Sequence, residues 1–258
     1  MNRSTKIYFV SDAHLGFPNA AESLKREKLL VQWLDEVSQD ASEIYLLGDI
    51  FDFWFEYKRV VPKGYTRFLG KISQLTDQGI KVHFFTGNHD LWVFDYLPNE
   101  IGVEVHRDRE IRIIEGKKFF IAHGDGLGPS DIGFKYLKKI FKNRFAQWLF
   151  ARIHPNFAVR MAVRWSQHNR YHENPKNFNF LGEDKERLIQ YAKRKIENEH
   201  YDFFIFGHRH LPIEFMLNKN TKFVNLGDWL FHFTYAIFDG NNVTLHQYLK
   251  KSDNGTHL

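Results

Sequence analysis

Short apolar runs alternate with amphipathic stretches over the first ninety residues. Lys6–Val10 has the pattern of a strand, and Glu22–Val37 places Leu24, Leu29, Leu30, Trp33 and Leu34 along one side of a helix. Glu43–Leu47 is a second strand-like run, Thr66–Gln78 a second helix closed by Gly79, and Lys81–Thr86 a third strand. A β-α-β-α-β order of this kind predicts an α/β fold around a buried, largely parallel sheet. Further on, Glu110–Ile114 and Lys118–Ala122 flank Glu115-Gly116-Lys117 as a hairpin. Phe203–Phe206, Lys222–Asn225, Tyr235–Asp239 and Val243–Tyr248 are again strand-like, with Asp239-Gly240-Asn241-Asn242 as the turn between the last two.

Between the two strand-rich halves lies a helical stretch, residues 130–176, inserted into a single domain that spans 1–258. In its first half Ile132, Tyr136, Leu137, Ile140, Phe141, Phe145, Trp148 and Leu149 recur at helical spacing, and Lys135, Lys138, Lys139 and Lys142 fall largely on the other side. This is either a helix packed on the core with a solvated basic face or a cap whose aromatic side covers a hydrophobic substrate or touches lipid.

Charge sharpens that choice. From Asp131 to Lys176 ten Lys/Arg stand against two acids, more positive than the whole-chain +5, so the remainder is slightly acidic. A localised basic region suggests an anionic partner. The composition, 43% hydrophobic and 26% charged, is that of a globular protein rather than a disordered tail. With no cysteine, disulfide scaffolds, thiolate zinc sites and cysteine nucleophiles are excluded, and a reducing cytoplasm is permitted. Ile7–Val10 is too short for a signal-peptide core, and no apolar run is long enough for a membrane span. The expected location is the cytoplasm, with any membrane contact made peripherally on the inner face of the cytoplasmic membrane.

The chemistry is carried by five short motifs, each just after an apolar strand: Asp12-Ala13-His14, Gly48-Asp49, Gly87-Asn88-His89-Asp90, Ala122-His123-Gly124-Asp125 and Gly207-His208-Arg209-His210. In open α/β sheets the ligand crevice lies beyond the carboxyl ends of the strands, so these loops should converge. Asp12 and His14 are two apart, which in extended backbone points both to one side, and His208 and His210 repeat the spacing. A carboxylate can bridge two ions while imidazoles and an amide oxygen complete each shell, a donor set that suits manganese, iron or zinc better than calcium. Two divalent ions, less the charges of Asp12, Asp49 and a hydroxide, leave a site of about +1 for an anionic phosphoryl group. Each motif alone is weak; five in this order are not.

This ordered set resembles the calcineurin-like metallophosphoesterase family over nearly the whole chain. The resemblance implies a four-layer α/β/β/α sandwich with a helical insert, and a hydrolase with two divalent ions, manganese in first place and iron or zinc as alternatives. It implies Asp12, His14, Asp49 and His210 around one ion and Asp49, Asn88, His123 and His208 around the other, with Asp49 bridging. His89 would stabilise transition-state charge or protonate the leaving group without being a ligand, and Asp90 would orient it.

Gly48-Asp49-Ile50-Phe51-Asp52-Phe53-Trp54, His123-Gly124-Asp125 followed by Asp131, the basic insert and Leu226-Gly227-Asp228-Trp229 are similar to the UDP-2,3-diacylglucosamine hydrolase branch of lipid A biosynthesis. That branch cleaves a pyrophosphate to UMP and 2,3-diacylglucosamine 1-phosphate, which implies a nucleotide-linked lipid substrate. Three positions depart from it: His89 stands where the branch has Arg, Gly128 where it has Cys and Phe134 where it has Tyr. Arginine contacts phosphate bidentately and histidine does not. A nuclease of the same superfamily would use the basic stretch for phosphate contacts, although no nucleic-acid-binding motif is present; a non-catalytic binding module would usually have lost ligands, and here every ligand position is filled. Asp131, Ser166, Asn169 and Arg170 are candidate substrate contacts, and His154, His168 and His172 lie in the same insert. Asp52 and Asp125 are candidates for orienting metal-bound histidines, Asp125 equally for capping the next element. His83, His106, His200, His246 and His257 read as structural or solvated. Nothing in the sequence fixes the oligomeric state.

Overall fold

The computed structural model describes residues 6–127, 132–171 and 179–249, leaving aside the side chains at 132–134, 165 and 167–171. Four strands, β1 (Lys6–Val10), β2 (Ala41–Leu47), β3 (Lys81–Phe85) and β4 (Glu104–His106), run parallel in that order. Antiparallel β10 (Thr234–Phe238) and β11 (Val243–Gln247) extend the sheet on the β1 side. A second sheet has the order β5-β6-β7-β9-β8, built from Glu110–Ile114, Lys117–Ala122, Phe203–Phe206, Lys222–Leu226 and Pro212–Met216.

The strands read as unbroken apolar runs because both faces are buried. On β1, Ile7 and Phe9 face the layer between the sheets, where they join Tyr45, Leu47, Phe85, Phe119, Ile121, Ile205 and Val224. Tyr8 and Val10 face outward, onto Leu30, Trp33 and Leu34 of helix α1 (Ala20–Val37) and, with Ile44 and Leu46, onto Phe68, Ile72 and Leu75 of α2 (Thr66–Asp77). A further helix, α6 (Arg187–Ile196), covers the second sheet with Leu188, Ile189 and Ala192 against Phe120, Phe204 and Phe206. The result is the α/β/β/α sandwich. Helix α1 starts two residues earlier than the apolar pattern suggests, because the Asn19 side chain accepts from the N–H groups of Ala21 and Glu22, both at 3.0 Å.

Three elements left no clear mark in the sequence. β4 has three residues, β8 is an edge strand beginning at Pro212, and α6 is short and strongly basic. The described residues of the insert form three helices: α3 (Ile132–Lys142), α4 (Arg144–Phe150) and α5 (Pro155–Tyr171). Asn143 breaks the first apolar stripe by capping α4, its side chain accepting from Phe145 and Ala146.

A helix packed on the core with only a basic face in solvent is not what forms. Tyr136, Ile140, Phe145, Trp148 and Leu149 remain between 43% and 69% exposed. The insert is fastened instead at a few points. Phe150 sits among Phe53, Phe55 and Trp92, with ring centroids at 6.3, 4.8 and 4.7 Å, and the Trp92 indole donates to the Phe141 carbonyl at 2.8 Å. Lys138 pairs with Asp125 at 2.6 Å.

Candidate metal centre

The loops that follow β1, β2 and β3 in one sheet and β6 and β7 in the other meet at one end of the sandwich, as strand order in such sheets requires. The backbone there is strained. Among the described residues eight non-glycines have positive φ, and five of them are Asp12, His14, Asp49, His208 and His210, at 54°, 42°, 52°, 66° and 55°. For an L residue this conformation costs about 1–2 kcal/mol. It also corrects the extended geometry expected from the two-residue spacing: Asp12 and His14 share a site because left-handed turns aim them there. The turns are held from outside. Asp12 and His14 donate their N–H groups to the carbonyls of Gly48 and Asp49 at 3.0 and 2.9 Å. The buried Arg26 guanidinium in α1 donates to the carbonyls of Ala13 and His14 at 2.7 and 2.8 Å.

The side chains form two groups of possible ligands, Asp12 with His14 and His210, and Asp49 with His123 and His208. His14 Nε2 is 3.3 Å from His210 Nε2, and Asp12 Oδ1 is 3.7 and 3.4 Å from the same two nitrogens. Asp49 Oδ2 lies 3.3 Å from His123 Nε2 and 3.9 Å from His14 Nε2, so one carboxylate oxygen faces both groups. Its other oxygen accepts the His89 N–H at 2.8 Å. Asp12 Oδ1, Asn88 Oδ1 and His123 Nε2 are buried and make no hydrogen bond. Polar atoms stranded in this way are costly unless a cation or another partner meets them. Nitrogen and oxygen donors aimed inward with no thiolate among them fit a pair of divalent ions of the manganese, iron or zinc kind.

The far sides of His123 and His210 are hydrogen-bonded, which fixes their tautomers, and that of His14 faces a carboxylate. His123 Nδ1–H donates to the Leu47 carbonyl at 2.7 Å, freeing Nε2. His210 Nδ1 is 3.3 Å from Asp228 and His14 Nδ1 3.5 Å from Asp52. Asp228 is itself pinned by the N–H groups of Leu230, Phe231 and His232 at 3.0, 2.6 and 2.8 Å. Burial opposes ionisation of Asp228, but the hydrogen bonds from His210 and His232 hold its carboxyl below the usual range. Burial likewise disfavours a charge on Asp49, yet His123 and His89 beside it keep it ionised. Burial raises the Asp12 carboxyl.

Asp90 is placed differently from the role in which it would orient His89. Its oxygens accept the N–H groups of Gly87, Ile50, Asp49 and Phe51 at 2.7, 2.9, 3.3 and 3.4 Å, so it clamps the second motif to the third. Burial, reinforced by the Asp49 charge, pushes it up to about 7. The His89 ring is held instead by the Asp52 carbonyl at 3.0 Å and by Ser166 Oγ of the insert at 3.2 Å, and Ser166 also reaches Asp52 Oδ2 at 3.1 Å. His89 stands edge-on to His14, with centroids 4.9 Å apart, and could join His14 and Asp49 in a third group of ligands.

Two glycines are explained by close approach. A Cβ on Gly87 would stand 2.2 Å from Asp49 Oδ1, and one on Gly207 2.6 Å from Asp12 Oδ2. Arg26 and Asp228 were not assigned a role from sequence. Arg26 sits mid-helix, twelve residues from His14, and only its burial beside Leu30 and Trp33 betrays it. Asp228 lies just after an apolar strand, as the motif residues do, and that was its available signal. Asp131 and His172 lie outside the described residues, as do Gly128 and the side chains of Phe134, His168, Asn169 and Arg170.

Comparison with known proteins covers the same ground. The family model "Calcineurin-like phosphoesterase" matches residues 5–212. A UDP-2,3-diacylglucosamine hydrolase from Porphyromonas gingivalis is 39% identical, with 93% of this chain and 97% of that protein aligned. Enzymes of the same name from Histophilus somni and Neisseria meningitidis are 26% and 27% identical, over 87% and 89% of this chain and 92% and 91% of theirs.

Proposed function

The chain belongs to the calcineurin-like phosphoesterase family, a hydrolase of phosphorus esters, and on that premise we propose that it cleaves the pyrophosphate of UDP-2,3-diacylglucosamine to UMP and 2,3-diacylglucosamine 1-phosphate. The observation that carries the substrate is the 39% identity to the Porphyromonas enzyme with 93% of this chain aligned. The observation that supports the reaction class is the set of stranded buried donors around Asp49.

Asp12, His14, Asp49 and His210 would hold one ion, and Asp49, Asn88, His123 and His208 the other; we take manganese as the working ion. Bound there, the pair supplies an activated water and positive charge for the phosphoryl group. The chain's own residues do the rest. With its Nδ1–H given to the Asp52 carbonyl, His89 leaves Nε2 as the nitrogen that, in the doubly protonated ring, would hand its proton to the leaving oxygen. Asp228 and Asp52 hold the His210 and His14 rings against rotation. Ser166 ties that general acid to the insert, so the insert's seat and the position of the acid are one arrangement.

The exposed aromatics of the insert fit a diacyl substrate presented at a membrane. Phe145, Trp148 and Phe157 are 66%, 51% and 62% exposed, and the Arg152 guanidinium lies 4.7 Å over the Trp148 ring. Lys139, Arg144, Arg160 and Arg164 on the same three helices are exposed as well. An apolar face edged with cations suits an anionic bilayer surface, in this reading the cytoplasmic one. No described helix is long and apolar enough to cross a membrane.

Purified protein with manganese is expected to release UMP from UDP-2,3-diacylglucosamine. Hydrolysis of bis(p-nitrophenyl) phosphate without any UMP would remove the lipid substrate and keep the phosphodiesterase. Cleavage of single-stranded DNA would favour a nuclease. Full activity in a folded His14→Ala protein would remove the metal-dependent enzyme altogether.

A further inference from the structure

His83 on β3 and His106 on β4 are both buried, at 0% and 7% exposure, and play no part in the reaction centre. Separated by 23 positions, each reads in the sequence as structural. Parallel pairing of the strands sets His83 opposite Glu104 and Phe85 opposite His106, which gathers both rings and the Glu104 carboxylate at the margin of the layer between the sheets.

The donor groups of the three residues lie close together, one Glu104 oxygen facing each imidazole. His83 Nδ1 is 3.1 Å from His106 Nε2 and 3.2 Å from Glu104 Oε2, and Glu104 Oε1 is 3.5 Å from His106 Nε2. Ligand atoms held at zinc-type bond lengths of about 2.0–2.1 Å in tetrahedral geometry stand about 3.3–3.4 Å apart. The outer nitrogens are engaged by other carboxylates: His83 Nε2 is 2.9 Å from Glu43 and His106 Nδ1 is 3.3 Å from Glu110. With each N–H given outward, both inner nitrogens turn lone pairs toward one another and toward Glu104, the carboxylate–histidine arrangement that surrounds a bound cation.

The charges agree. Among the described residues Glu43, Glu104 and Glu110 face a single cationic side chain, Arg112, whose Nη1 is 3.7 Å from Glu43, 3.3 and 3.1 Å from His83 Nδ1 and Nε2, and 2.8 Å from the Tyr45 hydroxyl. With both histidines neutral the cluster carries two negative charges in excess, which one divalent ion balances and one shared proton does not. Arg112 is the competitor for the His83 lone pair, and it keeps Tyr45 and Glu43 as partners when it yields that place. Glu104, the outermost ligand at 63% exposed, leaves an entry from solvent.

We propose that His83, His106 and Glu104 form a further divalent-cation site of the zinc type, separate from the reaction centre, that fastens the β3–β4 edge of the first sheet. The test is zinc content. The full chain is stripped of metal, equilibrated with zinc chloride, freed of loose ions by gel filtration and measured by plasma mass spectrometry. Glu104→Gln and His106→Gln should each hold one ion fewer per chain than the wild type, with unchanged hydrolysis of bis(p-nitrophenyl) phosphate after manganese loading. Asp49→Asn should lose reaction-centre ions yet retain the one that His106→Gln removes in that background. Circular dichroism checks the fold, and Glu104→Gln, at an exposed position, serves if His106→Gln does not fold. Equal zinc content in the wild type and in folded Glu104→Gln would overturn the proposal.

Discussion

In the loops beyond β1, β2 and β6, Asp12, His14, Asp49 and His123 are buried, the imidazoles against the Asp52 carboxylate and the Leu47 carbonyl and the carboxylates under the N–H groups of His208 and His89. In the insert beside them, Tyr136, Phe145, Trp148 and Phe157 stand more than half exposed and touch the rest of the molecule chiefly through Phe141, Phe150, Lys138 and Ser166. The two regions meet at His89. One is a rigid cradle in which backbone strain is sustained by the sheets underneath; the other is a lightly fastened surface that leaves Tyr136, Phe145, Trp148 and Phe157 largely in solvent. A reaction centre tolerates little displacement, whereas a surface that receives flexible acyl chains needs area and adaptability rather than fixed geometry.

That contrast can be broken at several points. The largest effect is expected at Asp49, whose oxygen faces both ligand groups: Asp49→Ala should lower turnover of bis(p-nitrophenyl) phosphate by at least about 10³-fold and reduce manganese content, while the circular dichroism spectrum is kept. A variant with near-normal turnover would remove the bridging role. His89→Ala should lose about 10²–10⁴-fold in kcat with manganese content unchanged, since a proton donor and a ligand differ in that second readout. A fall in metal content would instead make His89 a ligand, as its place beside His14 and Asp49 allows.

The seam between the regions comes next. Phe150→Ala removes the ring lodged among Phe53, Phe55 and Trp92 and should destabilise the protein by about 2–4 kcal/mol, read as a lower thermal midpoint. Protease sensitivity should rise first within 132–171; uniform sensitivity would mean that the insert is not a separately fastened unit. The smallest effect on stability is expected for Trp148→Ser with Phe145→Ser, within about 0.5 kcal/mol each, because neither side chain is packed in a core. Turnover of the small substrate should be unchanged, while sedimentation with anionic vesicles should fall. Unaltered vesicle binding would detach the membrane from this face.

The motif loops were legible because each follows a strand whose apolar run is unmistakable, and because Asp, His and Asn after such runs have few structural uses. β1, β2, β3, α1 and α2 were legible for a related reason: long periodic patterns survive tertiary context. β4, β8 and α6 were not, being short or at an edge, where packing rather than propensity decides the conformation. Arg26, Asp228 and the role of Asp90 were hidden for another reason. They act on backbone or on another side chain across 12, 18 and 41 positions, and spacing in the sequence carries no trace of such partners.

The sequence by itself therefore determined the reaction class and the identity of the inward-facing donors, since residue type and order after apolar strands are local information. Tertiary structure alone decided three things. It set the left-handed turns that aim Asp12, His14 and Asp49, it held His89 by Asp52 and Ser166 rather than by Asp90, and it gathered His83, Glu104 and His106 into one cluster. In each case the cause is a contact between strands or segments distant in the chain, which exists only once the sheets have paired.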